Sequence, residues 1–298
     1  MRGDVESYIP AVRLSELEER VFERVQALEG RGAVYLRHLG CGDEVAIDAD
    51  RAFPTGCMIK IPILLTVLQR VVDGTLPWDS VFTMTPDRVY GLGQLVDRLQ
   101  IGSPMELGEL LHHMVSLSDT AAGLWCQDIA GGGTAVNRWL ADAGYAVTRV
   151  NSRTPGREHE FELYGWGQMS PREACGLLVS IRERRAVDPA ADAYADRLLA
   201  STNFFRESLG TLPTDVHVIS KTGAYEGVCG DVLLIAAPGG TFTCAVMTDE
   251  LADTRPGADN AGWRLVRDVA ALAWSAWGDG SPGSELQAWP PGRLASRP

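Results

Sequence analysis

The chain has 298 residues, of which 45% are hydrophobic and 22% charged, so it can bury a large core and is not globally disordered. Its formal net charge of −12 provides no electrostatic surface for nucleic acid or for an anionic membrane. The N-terminus shows no apolar stretch behind a basic start, and no run reaches the ~18–20 apolar residues of a membrane span. The sequence therefore predicts a cytoplasmic protein that binds neither nucleic acid nor membrane.

Blocks of helix and strand follow one another along the chain. Apolar residues at helical spacing predict an amphipathic helix over 14–28, and two short strands follow over 33–39 and 43–50. A long apolar helix is predicted over 57–74, with Pro62 near its first turn, and further helices continue to about residue 200. Strands return over 216–223, 230–238 and 241–249, before a last helix over 261–277.

This order places strands at both ends of the sequence and helices in the middle. It predicts an α+β protein whose sheet is built from both termini, with a helical lobe inserted between the strands. We expect a single domain over residues 1–275, with a sheet lobe over 14–55 and 205–275 and a helical lobe over 56–204. Residues 276–298 are expected to form a loose tail.

The basic residues are unevenly distributed between the two types. Only two of the 27 Lys and Arg residues are lysines, namely Lys60 and Lys221. A guanidinium cannot change its protonation state at ordinary pH, whereas an amine can. The two retained lysines are therefore candidates for proton transfer.

Both lysines lie in short motifs whose side chains could take part in catalysis. Cys57 and Lys60 are three residues apart at the start of a predicted helix, so the thiol and the amine would share one face. A second motif, SDT, begins at Ser118 near a junction between helices, and a third, KTG, begins at Lys221 at the end of a strand. The six cysteines form no CxxC pair, so neither a metal site nor a redox motif is expected, and no cofactor is implied.

Taken together and in this order, the three motifs resemble the S-x-x-K, S-D-N and K-T-G motifs of class A β-lactamases and penicillin-binding proteins. The surrounding sequence agrees over roughly residues 20–275: Phe53-Pro54 precedes the first motif, and Ser170-Pro171-Arg172 resembles the helix start after the family's omega loop. The resemblance implies the β-lactamase-like fold, with an antiparallel sheet.

The resemblance also implies roles for individual residues. Cys57 would be the nucleophile, Lys60 would return a proton to the leaving group, and Ser118 would relay protons between Lys60 and Lys221. The backbone N–H groups of Cys57 and Ala224 would form the oxyanion hole. The remaining motif residues would contact the substrate: Asp119, Thr120, Thr222 and Gly223.

Three departures separate this chain from the family pattern. Cys57 replaces the serine, and Thr120 replaces the asparagine of the second motif. The family's Glu-x-x-Leu-Asn stretch, which carries its deacylating glutamate, is absent. The segment TPGREHEFELYGWGQ offers Glu158, Glu160 and Glu162 as candidate bases instead, with a solvated acidic loop as the alternative reading. Arg157 in this segment and Arg153 immediately before it are candidates for binding a substrate carboxylate.

A thiol beside a lysine favours a thiolate with an ammonium group, because the reference pKa of cysteine lies below that of lysine. Attack on an amide, lactam or ester would give a thioester, which reacts with amines more readily, relative to water, than an oxygen ester does.

The leading hypothesis is therefore an acyltransferase that makes amides in a biosynthetic pathway, from a small-molecule acyl donor and an amine. A hydrolase with the same acyl-enzyme and a non-catalytic ligand-binding module remain alternatives. The sequence does not determine the oligomeric state.

Overall fold

The computed structural model describes residues 11–204 and 207–279. Its central element is a five-stranded sheet in the order β2-β1-β10-β9-β8, in which every pair is antiparallel. The strands come from both ends of the chain: β1 (Arg31–His38) and β2 (Glu44–Ile47), then β8 (His217–Tyr225), β9 (Val228–Ala237) and β10 (Gly240–Asp249). The prediction of an α+β fold with a sheet built from both termini is confirmed.

Two helices cover one face of this sheet. They are α1 (Ala11–Gln26) and α9 (Ala261–Trp277), which pack against each other and on the strands. Leu17 and Val21 of α1 meet Val266 and Val269 of α9 in a fully buried apolar cluster. Because α9 continues to Trp277, the predicted tail starts later than residue 276, and its residues 280–298 lie outside the described part of the chain.

The opposite face of the sheet carries the helical lobe. Its helices are α2 (Lys60–Val72), α3 (Leu107–Val115), α4 (Thr120–Ile129), α5 (Gly132–Asp142), α6 (Glu158–Tyr164), α7 (Pro171–Arg182) and α8 (Pro189–Ala200). Short strands connect them: β3 (Phe53–Pro54) pairs with β7 (Gly167–Met169), which pairs with β6 (Arg149–Val150), and β4 (Val81–Thr83) pairs with β5 (Pro104–Glu106). The division of the chain into lobes at 56 and 205 stays a prediction.

The core of this lobe is built around α2. Nine of its residues, from Lys60 to Leu68, are buried. A helix that is apolar on every side must be surrounded, and α3, α4, α5 and α8 pack around it. None of the described helices is long and apolar enough to cross a membrane.

Candidate active site

The turn that carries Cys57 begins the site. A 3₁₀ helix (Gly56–Ile59) precedes α2, so Cys57 lies one turn before the α-helix that was predicted to start with it. In a 3₁₀ helix the side chains at i and i+3 eclipse each other. Lys60 Nζ accordingly donates to Cys57 Sγ at 3.1 Å, and the predicted pairing of thiol and amine is present despite the different local helix.

Ser118 connects the two lysines. Lys221 Nζ donates to Ser118 Oγ at 2.7 Å, while Lys60 Nζ lies 3.4 Å from the same oxygen and donates to the Ser118 carbonyl at 2.6 Å. Lys221 Nζ also donates to the carbonyl oxygen of Thr222 at 3.0 Å. Four residues from three separate motifs therefore form one hydrogen-bonded cluster.

Ser118 holds this position through an unusual backbone. Its φ of 55° is left-handed, which costs a residue other than glycine roughly 1–2 kcal/mol. The following residue, Asp119, secures the turn: its carboxylate accepts from Ala122 N at 2.8 Å, which caps α4, and from Val96 N at 3.2 Å. The visible role of Asp119 is therefore to fix the loop, and its predicted contact with substrate stays a prediction.

The two lysines set the protonation of the thiol. Burial by itself would raise the pKa of Cys57, but the positive charges of Lys60 and Lys221 and hydrogen bonds from Ser118 and Lys60 lower this pKa to about 6. Burial lowers the pKa of Lys221 to about 8, with the Cys57 charge opposing the shift and Lys60 adding to it. At neutral pH the site therefore holds a thiolate beside at least one ammonium group.

Two glycines allow the strand β8 to touch the nucleophile turn. A Cβ on Gly223 would collide with the Thr55 carbonyl and lie 2.8 Å from Cys57 N, and a Cβ on Gly56, where φ is 49°, would lie 2.7 Å from Ala224 N. The backbone nitrogens of Cys57 and Ala224 therefore both lie at the contact between β8 and the nucleophile turn. Their role as an oxyanion hole stays a prediction.

A cleft of about 570 Å³ opens above Cys57. One wall consists of Thr222, Gly223 and Ala224 from β8, together with Trp263 from α9. The other wall consists of Gly93, Gln94, Leu95, Arg98 and Thr120, and Phe204 and Glu207 line the cleft as well. The predicted substrate-binding residues Asp119, Thr120, Thr222 and Gly223 all line this cleft, so the structure brings them together.

Lys60 is covered by an aromatic ring. Its Nζ lies 5.4 Å from the centre of the Trp166 ring, and Trp166 Nε1 donates to Gln127 Oε1 at 2.7 Å. Gly123 makes room for both, because a Cβ there would lie 2.6 Å from Trp166 and 2.9 Å from Lys60. Within the described residues, Lys60 Nζ forms no ion pair with a carboxylate.

The three candidate glutamates lie on α6, away from this cluster. Glu158 is exposed and accepts from Gly156 N at 3.1 Å, and these backbone hydrogen bonds lower its pKa, which weakens it as a base. Glu160 is 3.9 Å from Arg157, and Glu162 is exposed. None of the three is among the residues that line the cleft, and their role as bases stays a prediction.

The arginines of the same segment are engaged in structural contacts. Arg153 binds Asp128 at 3.0 Å, and Arg157 donates to Asn151 Oδ1 at 2.7 Å and to Gln168 Oε1 at 2.8 Å. Neither lines the cleft. Their binding of a substrate carboxylate therefore has no support in the structure.

Sequence reasoning missed two contributors to the site. Nothing in the sequence neighbourhood of Trp166 indicates its contact with Lys60. Arg98 is one of many arginines, and only its place in the fold brings it to the cleft. The described residues contain no cluster of His, Cys, Asp or Glu that could hold a metal ion.

Comparison with known proteins agrees with this architecture. The model of the family described as "Beta-lactamase enzyme family" matches residues 16–277. A curated relative, the beta-lactamase regulatory protein BlaB of Streptomyces cacaoi, is 24% identical over 275 residues, which cover 76% of this chain and 88% of the relative.

Solved structures show the same fold at low identity. A β-lactamase from Chitinophaga pinensis has a TM-score of 0.79 at 20% identity, covering 88% of this chain and 99% of its own. A β-lactamase from Sphaerobacter thermophilus has a TM-score of 0.77 at 22% identity, covering 90% and 98%. The L158E mutant of PBP-A, solved as its acyl-enzyme with penicillin G, has a TM-score of 0.76 at 23% identity, covering 86% and 94%.

Proposed function

This chain belongs to the beta-lactamase enzyme family, and from that premise we propose that it is an acyltransferase that uses Cys57 as its nucleophile and hands the acyl group to an amine. The observation that carries the proposal is the hydrogen bond from Lys60 Nζ to Cys57 Sγ at 3.1 Å, with the Trp166 ring 5.4 Å from the same nitrogen. The pair supplies a nucleophile at neutral pH, because the pKa of Cys57 is about 6.

In the first step the Cys57 thiolate attacks the carbonyl carbon of the donor, and the C–S bond forms. The developing oxyanion lies between the amides of Cys57 and Ala224. The bond to the leaving group then breaks, and the leaving group takes a proton from the Lys60 ammonium, directly or through Ser118 Oγ. A thioester and a neutral lysine remain.

In the second step an amine attacks the thioester. The C–N bond forms, the C–S bond breaks, and Cys57 leaves as the thiolate. The surplus proton of the amine passes through Ser118 back to Lys60, which restores the starting state. Because thiolate is both the attacking and the leaving species, the cycle needs no separate deacylating carboxylate.

We attribute transfer rather than hydrolysis to the surroundings of Lys60. Within the described residues, Lys60 Nζ and Ser118 Oγ form no hydrogen bond or ion pair with a carboxylate that could activate water, and the centre of the Trp166 ring lies 5.4 Å from Lys60 Nζ. An amine that is bound in the cleft gains an effective molarity of up to ~10⁵ M or more, whereas unpositioned water gains none. The partners of the reaction are then a small acyl donor and an amine.

The test uses an acyl thioester of N-acetylcysteamine and a series of primary amines. Intact-protein mass spectrometry should show one acyl group on Cys57, and the amide-to-acid product ratio should rise with amine concentration in the millimolar range. Cys57→Ser, which forms an oxygen ester, should lower this ratio. Free acid as the sole product with every amine would favour the hydrolase, and the absence of an adduct would favour a non-catalytic binding module.

A further inference from the structure

The loop before β5 fixes an arginine at the edge of the cleft. Asp97 accepts from the backbone N–H groups of Tyr90 at 2.8 Å and Gly93 at 3.0 Å, which tightens residues 90–97 into a compact turn. Gln94 reaches across and accepts from the N–H of Thr120. Arg98 follows, and its Nε donates to the Gly93 carbonyl at 3.0 Å. The guanidinium is therefore held by one edge.

Arg98 also belongs to the lining of the cleft. Arg98 lines the same cavity as Cys57 and is exposed there. Within residues 11–204 and 207–279, the terminal nitrogens of Arg98 have no hydrogen-bond or ion-pair partner. A planar pair of N–H donors at a fixed site matches the two oxygens of a carboxylate.

Among the described residues at the cleft, no other charged side chain can take this role. Lys60 and Lys221 are buried and bonded to Cys57, Ser118 and the Thr222 carbonyl. Asp119 is occupied by backbone N–H groups, and Glu207 is an acid that would repel an anion.

From this geometry we infer that Arg98 is a specificity-determining residue that binds a carboxylate of the substrate. The inference rests on the proposed function for the identity of the site as an acyl-transfer site. The carboxylate has two sources, the acyl chain of the donor or the amine acceptor, and both bring the same group to Arg98. If the acceptor carries the carboxylate, the acceptor is an amino acid.

The test separates recognition from chemistry by using Cys57→Ala, which cannot be acylated. Calorimetry measures the binding of two matched pairs: the glutaryl thioester of N-acetylcysteamine against its methyl ester, and phenylalanine against phenylalaninamide. The acid of one pair should bind roughly 10-fold tighter than its neutral partner, as a charge-assisted pair at a partly exposed site allows, and the preference should shrink at high salt. The pair of compounds that shows this preference identifies whether the donor or the acceptor carries the carboxylate.

Adding Arg98→Gln should bring the ratio of affinities within that pair close to one. Arg185→Gln is the matched control: it removes the same charge from an exposed arginine that pairs with Glu183 outside the cleft, and it should leave the ratio unchanged. Equal binding of acid and neutral compounds in both pairs, or a preference that survives Arg98→Gln, overturns the inference. Acylation of the wild-type protein is measured separately, so a failure of the proposed chemistry is not confused with a failure of carboxylate recognition.

Discussion

At the scale of single residues, the site depends on how two amines share one hydroxyl. Ser118 Oγ is 2.7 Å from Lys221 Nζ and 3.4 Å from Lys60 Nζ, and Cys57 Sγ is 3.1 Å from Lys60 Nζ. A proton can therefore move between the lysines without bulk water. The positive charges of Lys60 and Lys221 lower the pKa of the Cys57 thiol by more than burial raises it.

The first prediction concerns the pH at which Cys57 becomes reactive. Its alkylation by iodoacetamide should rise with a midpoint near pH 6, because the pKa of the thiol is about 6. Lys60→Met removes one of the charges that lower this pKa, so the midpoint should move upward by at least about one unit, which corresponds to roughly 1.4 kcal/mol. Peptide mapping of the alkylated protein locates the adduct, with Cys57→Ala as the blank. A Lys60→Met curve that overlays wild type would show that the charge of Lys60 does not act on the thiol.

The second prediction concerns Trp166. Trp166→Ala exposes Lys60 and the thioester to water, so the amide-to-acid product ratio should fall several-fold while acylation of Cys57 persists. Trp166→Phe keeps a ring but loses the bond to Gln127, and it should give an intermediate ratio. Trp139, which stacks on Tyr145 in the helical lobe, offers a control: Trp139→Phe should leave the ratio unchanged. A ratio that is independent of residue 166 would remove the indole from the explanation of transfer.

At the scale of elements, the decisive contact is between strand β8 and the 3₁₀ helix that precedes α2. Neither element has an unusual conformation apart from its glycines. Gly56 supplies a positive φ, and Gly223 supplies the missing Cβ that lets the two backbones approach. Their approach is what aligns the amides of Cys57 and Ala224.

The third prediction tests this approach. Gly223→Ala places a Cβ against the Thr55 carbonyl and 2.8 Å from Cys57 N, so β8 must move away from the turn. Acylation of Cys57 should slow by about 100-fold, the size of effect seen when one oxyanion donor is lost. Gly176→Ala in α7 is the matched control, because its Cβ would meet only Tyr145 at 3.5 Å and alanine favours a helix. Equal acylation rates in the two variants would mean that the glycine contact does not position the oxyanion hole.

At the scale of the whole molecule, the five-stranded sheet separates two apolar cores, and one of its strands carries a buried carboxyl group. Asp231 on β9 is fully buried opposite Thr222, and it accepts a hydrogen bond from Ser208 Oγ. Burial raises the pKa of Asp231 to about 7. The acid that accepts a hydrogen bond from the 3₁₀ helix Ser208–Thr211 is therefore close to its titration point at neutral pH.

The fourth prediction follows from that raised pKa. The folded protein binds the Asp231 proton up to about pH 7, whereas the unfolded chain releases it near 3.8, so this group lowers stability as pH rises through that window. Asp231→Asn should remove up to about 3 kcal/mol of this pH dependence between pH 5 and pH 8. Urea unfolding at pH 5 and pH 8 measures this change in the free energy of unfolding. The measurement uses a Cys57→Ala background, because the lowered pKa of Cys57 has the opposite effect and adds stability as pH rises from about 6 to 9. Asp142→Asn, an exposed position in α5, is the control, and an unchanged slope in Asp231→Asn would contradict the prediction.

The amino-acid sequence by itself determined the family, the α+β fold, the placement of the main strands at both ends of the chain, and the three motifs of the site. These features are local, since periodicity predicts each helix or strand and three-residue motifs are visible without the fold. The scarcity of lysine added weight to Lys60 and Lys221 for the same reason. The pairing of Cys57 with Lys60 could be predicted because residues three apart meet on any helix, whether α or 3₁₀.

Only the tertiary structure decided what surrounds that pair. Trp166 is far from Lys60 in the sequence, and its ring reaches the amine because Gly123 on α4 leaves room for it. Arg98 reaches the cleft because Asp97 and Gln94 fold the preceding loop, while the arginines that the sequence suggested are bound to Asp128, Asn151 and Gln168. Such contacts depend on how side chains pack between distant segments, and no periodicity or short motif encodes that packing.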